Sequence, residues 1–161
     1  MRSFFERRLP KPKAIAVVLA GVGGALAIAA LSLMGDALNL LMVIAPFGAS
    51  CVLLFAVPAA PLSQPANVVG GHVVAGLAGV VVLALLPGEW LGPALGVGLA
   101  ISAMMALRVT HPPAGANPIV ILALEPGWAF LIVPVALGPI CLVIMATLYH
   151  KLIGGTYPSN S

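Results

Sequence analysis

The sequence predicts an all-α, polytopic membrane helix bundle: six helical segments forming two inverted three-segment repeats. Three observations predict it. Of 161 residues, 61% are hydrophobic and 7% charged, with a mean hydropathy of +1.17, more apolar surface than a soluble domain of this size can hide. From Ala14 to Leu107 the only formal charges are Asp36 and Glu89. Two of the apolar runs are interrupted by Pro- and Gly-containing motifs that resemble each other. The length fits a single transmembrane domain, 14–150, between a basic segment, 1–13, and a polar tail, 151–161.

Arg2, Arg7, Arg8, Lys11 and Lys13 precede the first apolar run. The positive-inside rule places this end in the cytoplasm. The run is long enough to span, and no Ala-x-Ala site closes it, so a cleaved signal peptide is not expected. Phe4 and Phe5 read as part of a short headgroup-level segment or of a disordered basic tail. The first span is 14–34, closed by Gly35-Asp36. The second, 40–57, is expected to break at Pro46–Gly48. A Pro-rich link from Pro58 to Pro65 leads to the third span, 66–86, stopped by Pro87-Gly88-Glu89. The fourth, 91–107, ends at Arg108. The fifth, 109–124, is expected to break at Pro112–Gly115 and closes at Glu125-Pro126-Gly127. The last is 128–149. Trp90, Trp128 and Tyr149 fall at run ends, where interfacial aromatics belong.

The interrupted segments are short for straight spanning helices, which need about 20 residues. If both cross, there are six spans, with Arg108 and Lys151 on the N-terminal side and Asp36, Glu89 and Glu125 opposite. If both are re-entrant, there are four. Six crossings suit the basic residues better. Pro46, Gly48, Ala49 and Ser50 align at one constant offset with Pro113, Gly115, Ala116 and Asn117. The repeats are then about 14–86 and 91–150. Units with an odd number of crossings point opposite ways.

A broken helix inside a membrane is tolerated where it is buried in protein or lines a wet cavity. Half-helices starting after each motif would aim partly positive N-termini at the bilayer middle, a place for a small anion. The expected contacts are Gly48, Ala49, Ser50, His111, Gly115, Ala116 and Asn117, with Ser50 and Asn117 as cap-like residues or solute donors. His72, Asn67 and Arg108 are candidates for a gate or cavity lining. Each has a blander reading: His111 as a cap on freed carbonyls, His72 as an interhelical hydrogen bond, Asn67 as the cap of the third span, Arg108 as a snorkelling anchor. His150 is given no role. No Asp or Glu lies inside a span, so carboxylates that would hold a cation or relay protons are missing.

Cys51 and Cys141 read as small buried hydrophobes. The three histidines are far apart in sequence, and neither a metal site nor any other cofactor is expected. Small residues recur at four-residue spacing at Gly21/Ala25/Ala29, Gly71/Ala75/Gly79 and Gly92/Gly96/Ala100. These suit close helix packing within the monomer, or in a homo-oligomer. The expected partners are the lipid bilayer and a small inorganic anion; no nucleic-acid partner is expected.

The chain resembles the HPP family of integral membrane proteins. The resemblance rests on Ala45-Pro46-Phe47-Gly48-Ala49-Ser50, Gln64-Pro65-Ala66-Asn67, Gly71-His72 and Thr110-His111-Pro112-Pro113-Ala114-Gly115-Ala116-Asn117-Pro118. It implies four transmembrane helices, as that family is commonly described, against the six segments read above. Plant chloroplast relatives are associated with nitrite transport, so the resemblance implies nitrite or nitrate as substrate. Some relatives carry a C-terminal pair of CBS domains, which these residues lack. A bacterial inner membrane is the expected location. The competing readings are a non-transporting membrane sensor or assembly protein, and an intramembrane enzyme.

Overall fold

The structure, a computed structural model, describes residues 6, 7 and 9–159. Phe4 and Phe5, read as headgroup contacts, lie outside the described residues. The described residues form helices and turns only: α1 (Ala14–Leu38), α2 (Ala45–Cys51), α3 (Pro65–Leu85), α4 (Gly92–Ala106), α5 (Asn117–Leu124) and α6 (Leu137–Leu152). Three helical stretches are long and apolar enough to cross a membrane: Ala14–Leu38, Pro65–Leu85 and Trp128–Leu152. Ala45–Ala56, Gly92–Ala106 and Pro112–Leu124 are shorter. The two motif-bearing segments are thus both among the short ones.

Helix α1 runs past Gly35-Asp36 because Asn39 can stop it three residues later. Asn39 takes a left-handed conformation (φ 52°), and Leu40 N–H closes back on Gly35 O at 2.9 Å. The next interruption lies in residues 39–44, upstream of Pro46–Gly48. Ile44 is extended, and α2 starts at Ala45. Pro46 falls in the first helical turn, where a missing N–H breaks no helical bond. The expected break at Pro46–Gly48 is therefore a helix start. Beyond Cys51 the helix widens into a π turn, Val52–Ala56.

The second interruption falls where the sequence puts it. His111 is extended (φ −135°, ψ 103°), as the residue before a proline prefers. Pro112–Ala116 form a 3-10 turn, and α5 follows from Asn117. The last span holds an unanticipated break. Trp128–Leu131 is a 3-10 turn, Val133 is non-helical before Pro134, and α6 begins at Leu137. The two three-segment units thus carry different irregularities.

Helix α3 is the centre of the bundle, packing on α4, α5, the 3-10 turn after His111 and α6. Its Gly71/Ala75/Gly79 stripe is buried. A Cβ on Gly79 would lie 2.9 Å from Pro118 Cα, so α5 packs on bare backbone. The stripe Gly92/Gly96/Ala100 is also buried. On α1 the buried stripe is instead Gly23/Ala27/Leu31/Gly35, while Gly21, Ala25 and Ala29 are exposed. A helix with apolar residues on every side does not reveal its inner face by hydropathy.

The tail folds back over the Pro-rich link. The buried Tyr157 hydroxyl donates to Ser63 O at 2.9 Å, and Ser159 N–H donates to Gln64 Oε1 at 3.0 Å. His150 donates from Nε2 to Leu54 O at 2.8 Å and stacks on Phe55. Tyr157→Phe keeps the ring and deletes the donor. We expect a loss of about 1 kcal/mol, the net value of one such bond, seen as a lowered melting midpoint in detergent. An unchanged midpoint would mean the tail is not held by this bond.

Candidate functional site

Ser50, His72, His111 and Asn117 meet in the interior, and none of them has exposed surface. They arrive from four places: the last turn of α2, the second turn of α3, the extended residue before the 3-10 turn, and the first residue of α5. Ser50 Oγ lies 2.9 Å from His72 Nε2 and 2.9 Å from His111 Nε2. It also lies 3.2 Å from Pro46 O. His111 Nδ1 lies 2.8 Å from Leu62 O. Asn117 Nδ2 donates to His72 O at 3.0 Å and lies 3.1 Å from His72 Nδ1.

Hydrogen counting gives these bonds a direction. A carbonyl only accepts, so His111 Nδ1 carries a hydrogen for Leu62 O. The neutral ring then has a bare Nε2, which accepts from the Ser50 hydroxyl. The Ser50 oxygen accepts in turn from His72 Nε2–H. His72 Nδ1 is bare and accepts from Asn117 Nδ2. Every buried polar side-chain atom among the described residues has a partner, as low-dielectric surroundings require.

Close packing fixes the frame. A Cβ on Gly71 would fall 2.6 Å from His111 Cβ, so glycine there admits the histidine. Phe47 packs its ring edge-on to His72, with centroids 5.2 Å apart. Asn67 Nδ2 donates to Thr110 O at 2.9 Å and ties α3 to the residue before His111.

The remaining candidates are placed differently. Gly48 and Ala49 lie on the exposed face of α2; Gly115 and Ala116 are half-buried. A groove of about 500 Å³ runs between the two motif segments, lined by Pro46, Ala49, Leu53, Pro112, Pro113 and Ala116. These are chain neighbours of Ser50, His111 and Asn117. Arg108 is exposed, in a left-handed conformation (φ 61°) past the end of α4.

Three expected capping roles are corrected. Ser50 and Asn117 cap no helix: the residues before α2 and α5 are Ile44 and Ala116, without side-chain caps. Their polar atoms are taken by the histidines. Asn67 likewise spends its amide on Thr110 rather than on the start of α3. Few backbone donors are free at the helix starts. Pro46, Pro112, Pro113 and Pro118 have no N–H, Phe47 N–H bonds Ile44 O, and Ala114 N–H bonds His111 O.

The Leu62 carbonyl and Phe47 were missed. Phe47 lies between Pro46 and Gly48, but nothing local marks a backbone carbonyl in a Pro-rich link as a histidine's partner. Ser50 and His111 stand at nucleophile–base distance, with the ring oriented by Leu62 O. Ser50 is fully buried and also accepts from His72. The arrangement is a closed hydrogen-bond chain rather than an accessible nucleophile.

A profile of the family described as HPP, transmembrane region, matches residues 9–158. The chain is also similar to two transmembrane proteins of Dictyostelium discoideum. One is 34% identical over 113 residues, covering 65% of this chain and 36% of that protein. The other is 32% identical over 118 residues, covering 68% of this chain and 41% of that protein. The chain thus spans well under half the length of either relative. No solved structure matches.

Proposed function

This chain belongs to the HPP transmembrane family, and from that premise we propose that it carries a small monovalent anion, nitrite or nitrate, across the bilayer. One observation carries the reading. The two Pro-x-Gly-Ala segments meet along a groove, and the buried polar cluster behind it holds no carboxylate. A carboxylate there would repel an anion and hold a cation.

The anion enters between the motif segments. Gly48 opens on the groove against α1; at Gly115 no neighbouring atom lies within 4 Å of where a Cβ would stand, so solute can approach the backbone there. With four prolines at the helix starts, backbone donors contribute less than an open N-terminus would. The hydrogens of His72, His111, Ser50 and Asn117 are committed within the cluster and to Leu62 O and His72 O, so they reach the anion only when one of these bonds opens. Such recognition is weak, since no paired Arg clamp lines the groove among the described residues. It favours monovalent ions because the cost of dehydration grows with the square of charge.

Purified protein in liposomes tests this with labelled nitrite and nitrate. Uptake above protein-free vesicles is expected, slowed by formate and chloride and unaffected by sulfate. Absence of protein-dependent uptake of either ion, or stronger inhibition by sulfate than by chloride, would overturn the reading.

A further inference from the structure

We infer that Ser50, His72 and His111 form a site for one proton, and that the anion moves together with that proton as an electroneutral pair. The inference rests on the anion reading above and names its coupling ion.

The argument is a hydrogen count. In the neutral cluster the Ser50 hydroxyl donates to His111 Nε2, at 2.9 Å. Let one proton add to that nitrogen. His111 then donates from Nδ1 to Leu62 O, as before, and from Nε2 to Ser50 Oγ. The Ser50 hydrogen must turn elsewhere, and Pro46 O stands 3.2 Å away to accept it. His72 Nε2–H still donates to the same Ser50 oxygen, at 2.9 Å. The proton is taken up by one hydroxyl rotation, and no buried group loses its partner. A buried cation is tolerated only with its donors satisfied in this way.

The proton can also pass on. Asn117 presents both amide atoms to His72 Nδ1, Nδ2 at 3.1 Å and Oδ1 at 3.3 Å. The transfer holds for the alternative neutral tautomer, a separate starting state in which His72 Nδ1 carries the hydrogen, faces Oδ1 and leaves Nε2 bare. Ser50 Oγ then takes the proton from His111 Nε2 and gives its own to His72 Nε2. One O–H bond forms and one breaks, and Ser50 ends as a neutral hydroxyl. The charge has crossed from one ring to the other. A second proton is opposed by the first, since the ring centroids are 5.3 Å apart.

Among the described residues no acid neutralises that charge. On the elements packed around the cluster, α2 carries Cys51, which lines a groove against α1. Helix α3 carries His72 itself. The charge nearest α4 is the exposed Arg108, and α5 is followed by the exposed Glu125. On α6, Tyr149 and His150 are bonded to Leu19 O and Leu54 O, Lys151 is exposed, and Cys141 is a half-buried free thiol. The counter-charge must come from the solute. Proton binding then strengthens anion binding, and by linkage the anion strengthens proton binding by the same factor.

The test uses full-length protein in liposomes containing a pH-reporting dye, with nitrate and nitrite each measured against protein-free vesicles. An inward anion gradient is expected to acidify the lumen with one proton per anion. The flux should not respond to a potential set with potassium and valinomycin. Ser50→Ala, which keeps both imidazoles, is expected to lower the coupled acidification by about tenfold or more, the reach of a typical coupling energy. The wild-type measurement decides the matter even if that variant fails to fold. Anion uptake without acidification, or uptake that follows the imposed potential, overturns the proton site and leaves the anion reading standing. No uptake of either anion overturns both.

Discussion

His111→Ala is expected to abolish transport and remove a large part of the protein's stability. The side chain has no exposed surface, and three groups depend on it. Leu62 O loses its donor, 2.8 Å away. The Ser50 hydroxyl loses its acceptor and must settle for Pro46 O at the longer 3.2 Å. The space left lies between α3 and the 3-10 turn, next to Gly71, which has no side chain to fill it. An unpartnered buried carbonyl costs about 1–3 kcal/mol, and truncating a large buried side chain about 2–5 kcal/mol. The terms overlap, so a loss on the order of 3–5 kcal/mol is expected. Thermal unfolding in detergent and anion flux, measured on the same preparation, check both halves. A melting midpoint within a degree or two of wild type would mean that the cluster is wet or loosely packed. A stable variant transporting at the wild-type rate would take His111 out of the path.

What the sequence made legible follows from which forces act locally. Membrane class and six segments can be read because a span needs a long apolar run and its ends need polar or bent residues. The Pro112–Gly115 break could be placed because a proline constrains the residue before it, whatever the tertiary context. Pro46 misled for a related reason. A proline breaks a helix interior but suits its first turn, and only the course of residues 39–44 shows which applies. Pro134 went unread because the apolar run around it is unbroken. Ser50, His72, His111 and Asn117 could each be singled out as polar residues in an apolar background. Their convergence could not, since the bonds join positions 22, 61 and 45 residues apart. Ser50 illustrates the limit. At a presumed helix start its side chain reads as a cap, but α2 starts five residues earlier, which leaves the hydroxyl free for two imidazoles.

Gly71→Ala and Gly98→Ala are expected to shift stability in opposite directions, although both replace a glycine inside an apolar helix. Helix propensity alone makes each substitution favourable by about 1 kcal/mol. At Gly98, on the exposed side of α4, no atom lies within 4 Å of the new Cβ, so that gain should appear undiminished. At Gly71 the new Cβ would meet His111 Cβ at 2.6 Å and Val109 O at 3.0 Å. Neither neighbour can swing aside. His111 Cβ is fixed to an extended residue followed by two prolines. The chain just before it is tied down by Asn67 Nδ2 to Thr110 O and by Val109 N–H to Met104 O, each at 2.9 Å. The strand of chain must move as a unit, drawing the imidazole away from Ser50 and Leu62. Overpacking of this kind costs about 1–3 kcal/mol, occasionally more, and here it adds to strained bonds within the cluster. The expected outcome is a lower melting midpoint and lost transport for Gly71→Ala, beside an unchanged or raised midpoint for Gly98→Ala. If the two variants melt alike, α3 does not approach His111 as closely as described, and the frame that holds the four polar side chains together has to be sought elsewhere.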